Sequence, residues 1–455
     1  MDPIYDHFID NFREAVSEQD FTERRIGAEL KFPLVRPDGS AVDYDMIHRL
    51  WDYLQNRGWS PMLDGPDGKV VGATKPGEQN DTLASCETGY CKTEFSLAHV
   101  GSLFDLQKLI RNLQKELLRF AEKENVRFLC YGIHPKTPPG EQLLMKKGRT
   151  SVWDTVFGSN RHIPPERGDD FHLFTINSAS HVHLSVCEEE AVRAVNVFNG
   201  FAPAEIALTA HSSVWRGEVD GDHKCVSEKF WDWWMEDQNR VGMPHKPFED
   251  IRDYVHTIAD MKPVYVKRKD GPVVLTNYES FSEYYDQEEA VGYDVDGNEV
   301  RVAPREPDID LHNSCYWYNA RISRHYTLEN RTNDQQPQDS LPSIAALSLG
   351  LLNSLDEAEE IVKAHSWDDL REARHHACTS GIKDGSAPVD LENLAGNMLD
   401  VARKGLSQRG MGEEEFLKPL EERLESCECP ADEAAEMVED GGIERLVKNR
   451  ALQPK

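Results

Sequence analysis

The chain predicts an α+β fold. Up to about Pro337, short strand-like runs alternate irregularly with amphipathic helices, and after Pro342 the pattern is helical almost throughout. Several of the strand runs also place two polar or ionisable side chains two positions apart, which puts them on one face of the strand.

The elements follow in chain order. Arg25-Ile26-Gly27-Ala28-Glu29-Leu30-Lys31-Phe32 reads as a first strand, with Glu29 and Lys31 on a shared face. Cys86 to Ser96 carries Glu87 and Glu94, whose odd spacing aims them at opposite faces of an unbroken strand. Both serve one site only if Gly89 makes a turn or bulge. Leu103, Leu106, Leu109, Ile110, Leu113, Leu117 and Leu118 keep to helical steps and give one buried stripe. Val126 to Gly132 and Pro263 to Arg268 read as further strands, and Ser178 to Leu184 as one that carries His181 and His183 on one face. The acid-rich stretch from Asp286 to Pro307 contains Asp296-Gly297, a hairpin-turn signal, and is expected at the edge of the site. Tyr326-Thr327-Leu328-Glu329-Asn330-Arg331 is the most informative strand, with Glu329 and Arg331 facing one way and Leu328 and Asn330 the other. In the back region Leu391, Leu394, Ala395, Met398, Leu399, Ala402 and Leu406 form another helical stripe.

Charge inside a strand pattern needs a reason, because desolvating it is costly unless it is paired or bound to a metal. A strand with one face in water shows the same spacing. Several such strands taken together instead suggest a site for a cation and a polyanion. Composition limits the partners. The formal net charge of −30, with no basic cluster, argues against nucleic acid and anionic membrane. The longest apolar stretch, Ile344 to Leu352, is short of a membrane span. The acidic first residues do not form a secretory signal, and nine cysteines without regular spacing point to a reducing, cytoplasmic setting. Acidic runs such as Glu413-Glu414-Glu415 read as solvated helix faces.

The ordered set of motifs resembles the glutamate-cysteine ligase family, in the branch shared by plant and many bacterial enzymes. Gly27-Ala28-Glu29 looks like that family's opening block, and Cys86-Glu87 through Glu94-Phe95-Ser96 looks like its paired-acid segment. Lys147-Gly148-Arg149, His181-Val182-His183, Ala210 to Gly217, Asn239-Arg240-Val241-Gly242-Met243, Asp260 to Val266 and Glu329-x-Arg331 follow in family order. The resemblance implies a glutamine synthetase-like catalytic region over 1–340, with a curved, mainly antiparallel sheet lining the site and helices outside. A helical region over 341–455 is expected to pack on it.

It also implies an ATP-dependent ligase that activates the side-chain carboxylate of glutamate as an acyl phosphate and joins it to cysteine or another amine. Phosphoryl transfer needs metal ions and cations rather than covalent help, and Mg²⁺ (or Mn²⁺) is served by carboxylate oxygens. The implied metal ligands are Glu29, Glu87, Glu94, His181 and Glu329. Arg331, Arg240 and, more loosely, Arg149 are implied at phosphate or substrate carboxylate, which a guanidinium binds through two hydrogen bonds. Lys31 departs from the family, which often has a second acid there, and is expected to enter the carboxylate cluster in place of a metal ion. That departure also leaves room for a non-catalytic relative. His181-x-His183 separately fits the histidine pair of zinc amidohydrolases, which carry it earlier in the chain. The tryptophans of Phe230-Trp231-Asp232-Trp233-Trp234 are read as packing. Oligomeric state is not legible.

Overall fold

The computed structural model describes residues 2–17, 24–64, 68–77, 80–157, 171–235, 239–383 and 385–454. Its centre is a nine-stranded sheet in which every pairing is antiparallel. The strands are β1 (Ile26–Val35), β2 (Ser60–Asp64), β3 (Lys69–Lys75), β4 (Thr82–Cys86), β5 (Lys92–Ser96), β6 (Arg127–Phe128), β7 (Ala179–Ser185), β8 (Ala320–Ile322) and β9 (Thr327–Asp334). They run in the order β8-β9-β7-β1-β5-β4-β3-β2, and β6 pairs with the far end of β1. β1 therefore sits at the middle, where its apolar Leu30, Phe32 and Leu34 are buried and its polar face meets strands from distant parts of the chain.

The helices cover the other side. α1 (Leu103–Glu124) buries the stripe expected of it; Ser102 caps its start, and left-handed Asn125 ends it. α2 (Glu188–Thr209) is buried along most of its length, and Asn330 and Asn333 of β9 both donate to its Glu205 at 2.8 and 2.7 Å. Residues three apart on a regular strand face opposite ways; a register shift between Asn330 and Asn333 returns Asn333 to the Glu205 side. α3 (Ser343–Asn353) packs on β7 and β1, α4 (Trp367–Ser380) and α5 (Leu391–Arg409) pack on α2, and α3 packs closely on α5 where Gly350 and Gly405 let the backbones touch. The apolar stretch around Ile344 is thus a core helix, and among the described residues no helix is long and apolar enough to cross a membrane.

The back region is tied into the front by buried polar contacts. Glu413 accepts from the Leu103 backbone N–H at the start of α1, and Arg450 Nε donates to His211 Nε2 at 2.8 Å. The acid-rich stretch forms the expected hairpin, Ala290–Tyr293 with Glu299–Val302, inside a separate four-stranded sheet. Its turn holds Gly297 at positive φ, as an Asp-Gly turn requires. The nine cysteines, all among the described residues, form no disulfide.

Candidate functional site

Antiparallel register lines up the ionisable side chains on one face of the sheet. Arg321 of β8 lies opposite Glu329 of β9, Glu329 opposite His183 of β7, His181 of β7 opposite Glu29 of β1, and Lys31 of β1 opposite Glu94 of β5. Directly opposed residues have neighbouring side chains, so five strands drawn from different parts of the chain make one cluster. Glu87 joins it because the chain turns back after β4. Gly89 is needed in that turn, since a Cβ there would lie 2.0 Å from the Thr175 carbonyl oxygen.

The Lys31 ammonium sits at the middle of the acids. Its Nζ is 3.1 Å from Glu87 Oε1, 3.3 Å from Glu94 Oε2 and 3.5 Å from Glu29 Oε2, with His181 Nδ1 at 3.2 Å. Lys31 is only 3 % exposed. Burial disfavours its charge, but Glu87, Glu94 and Glu29 outweigh that and raise its pKa. Burial pushes Glu29 and Glu87 up, yet Lys31 holds both well below the usual carboxylate range, helped by the histidines at Glu29 and by Lys92 at Glu87. Glu94 is the carboxyl left over. Burial together with Glu87 and Glu29 prevails over Lys31 there and raises it to about 8. Three acids around one ammonium cannot all be compensated, and the least matched keeps its proton.

At the other end of the row Glu329, 2 % exposed, pairs with Arg321 Nε at 2.7 Å and with Arg331. Burial alone would raise it; the two guanidiniums hold it well below its ordinary value. His183 lies between Glu329 and Glu29. Its Nδ1 meets Thr327 Oγ1 at 2.9 Å, and its Nε2 points at Glu29 Oε1, 3.4 Å away, with no hydrogen-bond partner. Burial works against its charge, and Glu29 and Glu329 raise its pKa above the ordinary value. His181 is driven the other way, to about 3, by burial and by Lys31 and Arg331. Ligand atoms of Glu29, His183 and Glu329 all lie within 4.8 Å of one another. Two carboxylates and an imidazole whose other nitrogen is held by a hydroxyl suit a divalent cation.

Above this face opens a cleft of ≈ 330 Å³. Lys31, Glu87, Glu94, His181 and Arg331 line its floor, and Lys147 and Arg149 its rim. Arg149 sits over the ring of Trp153, 5.4 Å from its centroid. The opposite wall is aromatic: Trp231 and Trp317 stack with centroids 5.7 Å apart, beside Phe174 and Trp234. Trp231 and Trp234 therefore pack, as expected, but also face the cleft.

Arg240 is not brought to the cluster. Its backbone carbonyl accepts from Trp317 N–H at 2.6 Å, and its buried guanidinium donates to the Lys262 carbonyl, behind the cleft wall rather than on its surface. Sequence reasoning missed Lys92 and Arg321. Lys92 bonds Glu87 Oε2 at 3.1 Å and Asn177 Oδ1 at 2.8 Å, and Arg321 holds Glu329. Both carried the signal used elsewhere: Lys92-Thr93-Glu94 repeats the two-residue spacing, and Arg321 lies across a short hairpin from Glu329.

Residues 25–449 match the model of glutamate-cysteine ligase family 2 (GCS2). The chain belongs to that family. It is an ATP-dependent carbon–nitrogen ligase, as the resemblance of its motifs implied. Similar curated proteins include the chloroplastic glutamate–cysteine ligase of Solanum lycopersicum, 25 % identical over 431 residues that cover 91 % of this chain and 76 % of that one. The chloroplastic enzyme of Arabidopsis thaliana is 24 % identical over 410 residues, covering 87 % and 72 %. Among solved structures, a glutamate–cysteine ligase from Francisella tularensis in complex with AMP superposes with a TM-score of 0.54 at 10 % identity, over 94 % of this chain and 87 % of that one. That likeness shows the fold, a glutamine synthetase-like sheet with helices outside.

Proposed function

We propose that the cleft joins the γ-carboxylate of glutamate to the amine of cysteine at the expense of ATP, with the sheet-face cluster as its phosphoryl-transfer centre. The observation that carries this reading is the row Arg321–Glu329–His183–Glu29, which sets a metal-suited donor set against guanidiniums. A phosphoryl group in transfer needs both.

The γ-carboxylate attacks the terminal phosphorus of ATP, ADP leaves, and the γ-glutamyl phosphate is then attacked by the neutral amine, which displaces phosphate and gives up a proton. Glu29, His183 and Glu329 would hold a divalent ion, and Glu87, Glu94 and His181 stand around Lys31 beside it. That ion, when bound, supplies charge to offset the phosphates and hold them in line. Arg331 orients phosphate oxygens from the cleft floor, and Arg149 and Lys147 do so from the rim. Arg321 is a positioning residue that fixes Glu329. The aromatic wall takes an apolar part of a substrate and excludes water there.

The test is ADP release by the purified protein with Mg²⁺ and ATP, adding glutamate and then single amines. Release is expected only with glutamate present and to be largest with cysteine. An amine that outpaces cysteine tenfold in kcat/KM would reassign the acceptor within the ligase class; no release with any amine would sink the catalytic reading.

A further inference from the structure

Which cations this carboxylate cluster accepts follows from the ammonium groups already inside it and from where ligand atoms of several residues converge. Glu87 has none to spare: Oε1 faces Lys31 Nζ at 3.1 Å and Oε2 faces Lys92 Nζ at 3.1 Å. Lys92 is held there by the Phe174 carbonyl at 3.1 Å and by Asn177 Oδ1 at 2.8 Å, so it cannot swing away without leaving buried acceptors unmatched. Lys31 in turn offers three N–H donors to Glu87, Glu94, Glu29 and the His181 Nδ1. The ammonium is thus ringed by oxygen and nitrogen as a bound cation would be.

Glu329 is likewise engaged through both oxygens, by Arg321 and Arg331, so what distinguishes the positions is where ligand atoms of three residues converge. At the corner of Glu29, His183 and Glu329 the ligand atoms of three residues lie within 4.8 Å of one another, and His183 Nε2 is buried there without a hydrogen-bond partner; Glu94 Oε2 also lacks one, but the Lys31 ammonium already stands 3.3 Å from it. Glu29 divides its oxygens between the two positions, Oε2 to Lys31 and Oε1 towards His183.

We infer that Lys31 is a built-in cation which permanently fills one position of this cluster, and that the cluster takes a divalent metal only at the Glu29–His183–Glu329 corner. A divalent ion at Glu87 or Glu94 would sit within a few ångströms of the Lys31 ammonium and be repelled by it. The meaning of this for catalysis rests on the ligase reading; the ion count does not.

Crystals soaked in Mn²⁺ without nucleotide give the test, because anomalous scattering locates each ion. The wild type is expected to show one ion in the cluster, ligated by Glu29, His183 and Glu329, and none touching Glu87 or Glu94. Lys31→Glu is expected to gain a second ion bound by Glu87 and Glu94, and its rate should depend more steeply on free Mg²⁺. An ion on Glu87 or Glu94 in the wild type, an empty corner, or an unchanged ion count in Lys31→Glu overturns the inference. The wild-type crystals decide the matter alone if that variant does not fold. Should the ADP-release assay fail while the ion pattern holds, the ligase reading falls and this one stands.

Discussion

Two buried ionic clusters border the cleft, and they are finished to different degrees. In one, Arg374 of α4 donates from Nε to Asn319 Oδ1, from one terminal nitrogen to Asp232 Oδ1 and from the other to Glu228 Oε2, each at 2.8 Å. Each nitrogen of the guanidinium has a partner, and the cluster clamps the helical back region to the helix Val226–Met235 that carries the aromatic wall. On the sheet face, by contrast, three acids crowd the Lys31 ammonium and only Glu87 reaches a second one, that of Lys92; Glu94 keeps a proton to about pH 8, and His183 Nε2 and Glu94 Oε2 lack hydrogen-bond partners. Closed valence marks structure here, and open valence marks the place where a ligand completes the set.

If that contrast holds, breaking the closed cluster should cost fold and breaking the open one should cost activity. Arg374→Ala strands Glu228 as a buried acid without a cation and leaves Asp232 to Lys229 and His375, and should lower unfolding free energy by about 3–5 kcal/mol in urea titrations. Little change would mean the clamp is not structural. Glu329→Gln should leave the protein folded while kcat falls by roughly 10²-fold or more, as when one electrostatic contact to a transition state is lost. Arg331→Lys should fall on the same scale, since it keeps charge but loses the two-pronged contact. Full activity in either variant would remove β9 from the site.

A sharper version uses Glu205, which lies beneath β9 and has one buried oxygen without a hydrogen-bond partner. Burial prevails over the Asn330 and Asn333 hydrogen bonds and raises it to about 7 from an ordinary 4.5. The native state therefore holds an extra proton between those values. Stability from this group is present below about pH 4.5 and is lost as pH rises through about 7. Glu205→Gln should flatten that slope and gain on the order of 2 kcal/mol at pH 8; an unchanged pH–stability curve would refute it. The smallest effect is expected at Thr327→Val, which frees His183 Nδ1 and should weaken Mn²⁺ binding about tenfold without touching the unfolding curve. Calorimetric Mn²⁺ titration reads it, and equal affinities would show that the hydroxyl does not set the imidazole.

How much of this was legible before the structure depends on the range of the signal. Two-residue spacing placed Glu29 with Lys31 and Glu329 with Arg331, and the glycine argument for Glu87 and Glu94 rested on local backbone chemistry that the turn at Gly89 uses. The choice between His181 and His183 was beyond it. Both share a face, and only Thr327, on a different strand, turns one of them towards the open corner. Arg240 misled because its direction is set by a two-residue parallel pairing, Val241–Gly242 with Trp317–Tyr318, which no local pattern announces. The helical stripes of the back region were plain, while its buried arginines reach partners that are distant in sequence and appear only once the chain is folded.

One of those long reaches bears on how the protein is made. The pairing of β6 with β1 is covered in turn by residues 450–452: Cys130 N–H donates to the Arg450 carbonyl at 2.7 Å, and Leu452 N–H to the Phe128 carbonyl at 2.9 Å. β1 also waits for β7 and then β9 before the site-bearing face exists. At about 5–20 residues per second, the interval between synthesis of β1 and of residue 452 is roughly 20–80 s. Until β7 and then β9 are made, the growing sheet shows ionisable side chains on its open edge strand, first Glu29 and Lys31 of β1 and then His181 and His183 of β7, and such residues on an edge discourage pairing with other chains. The side chains that serve the finished cleft thus also guard the sheet while it is still on the ribosome.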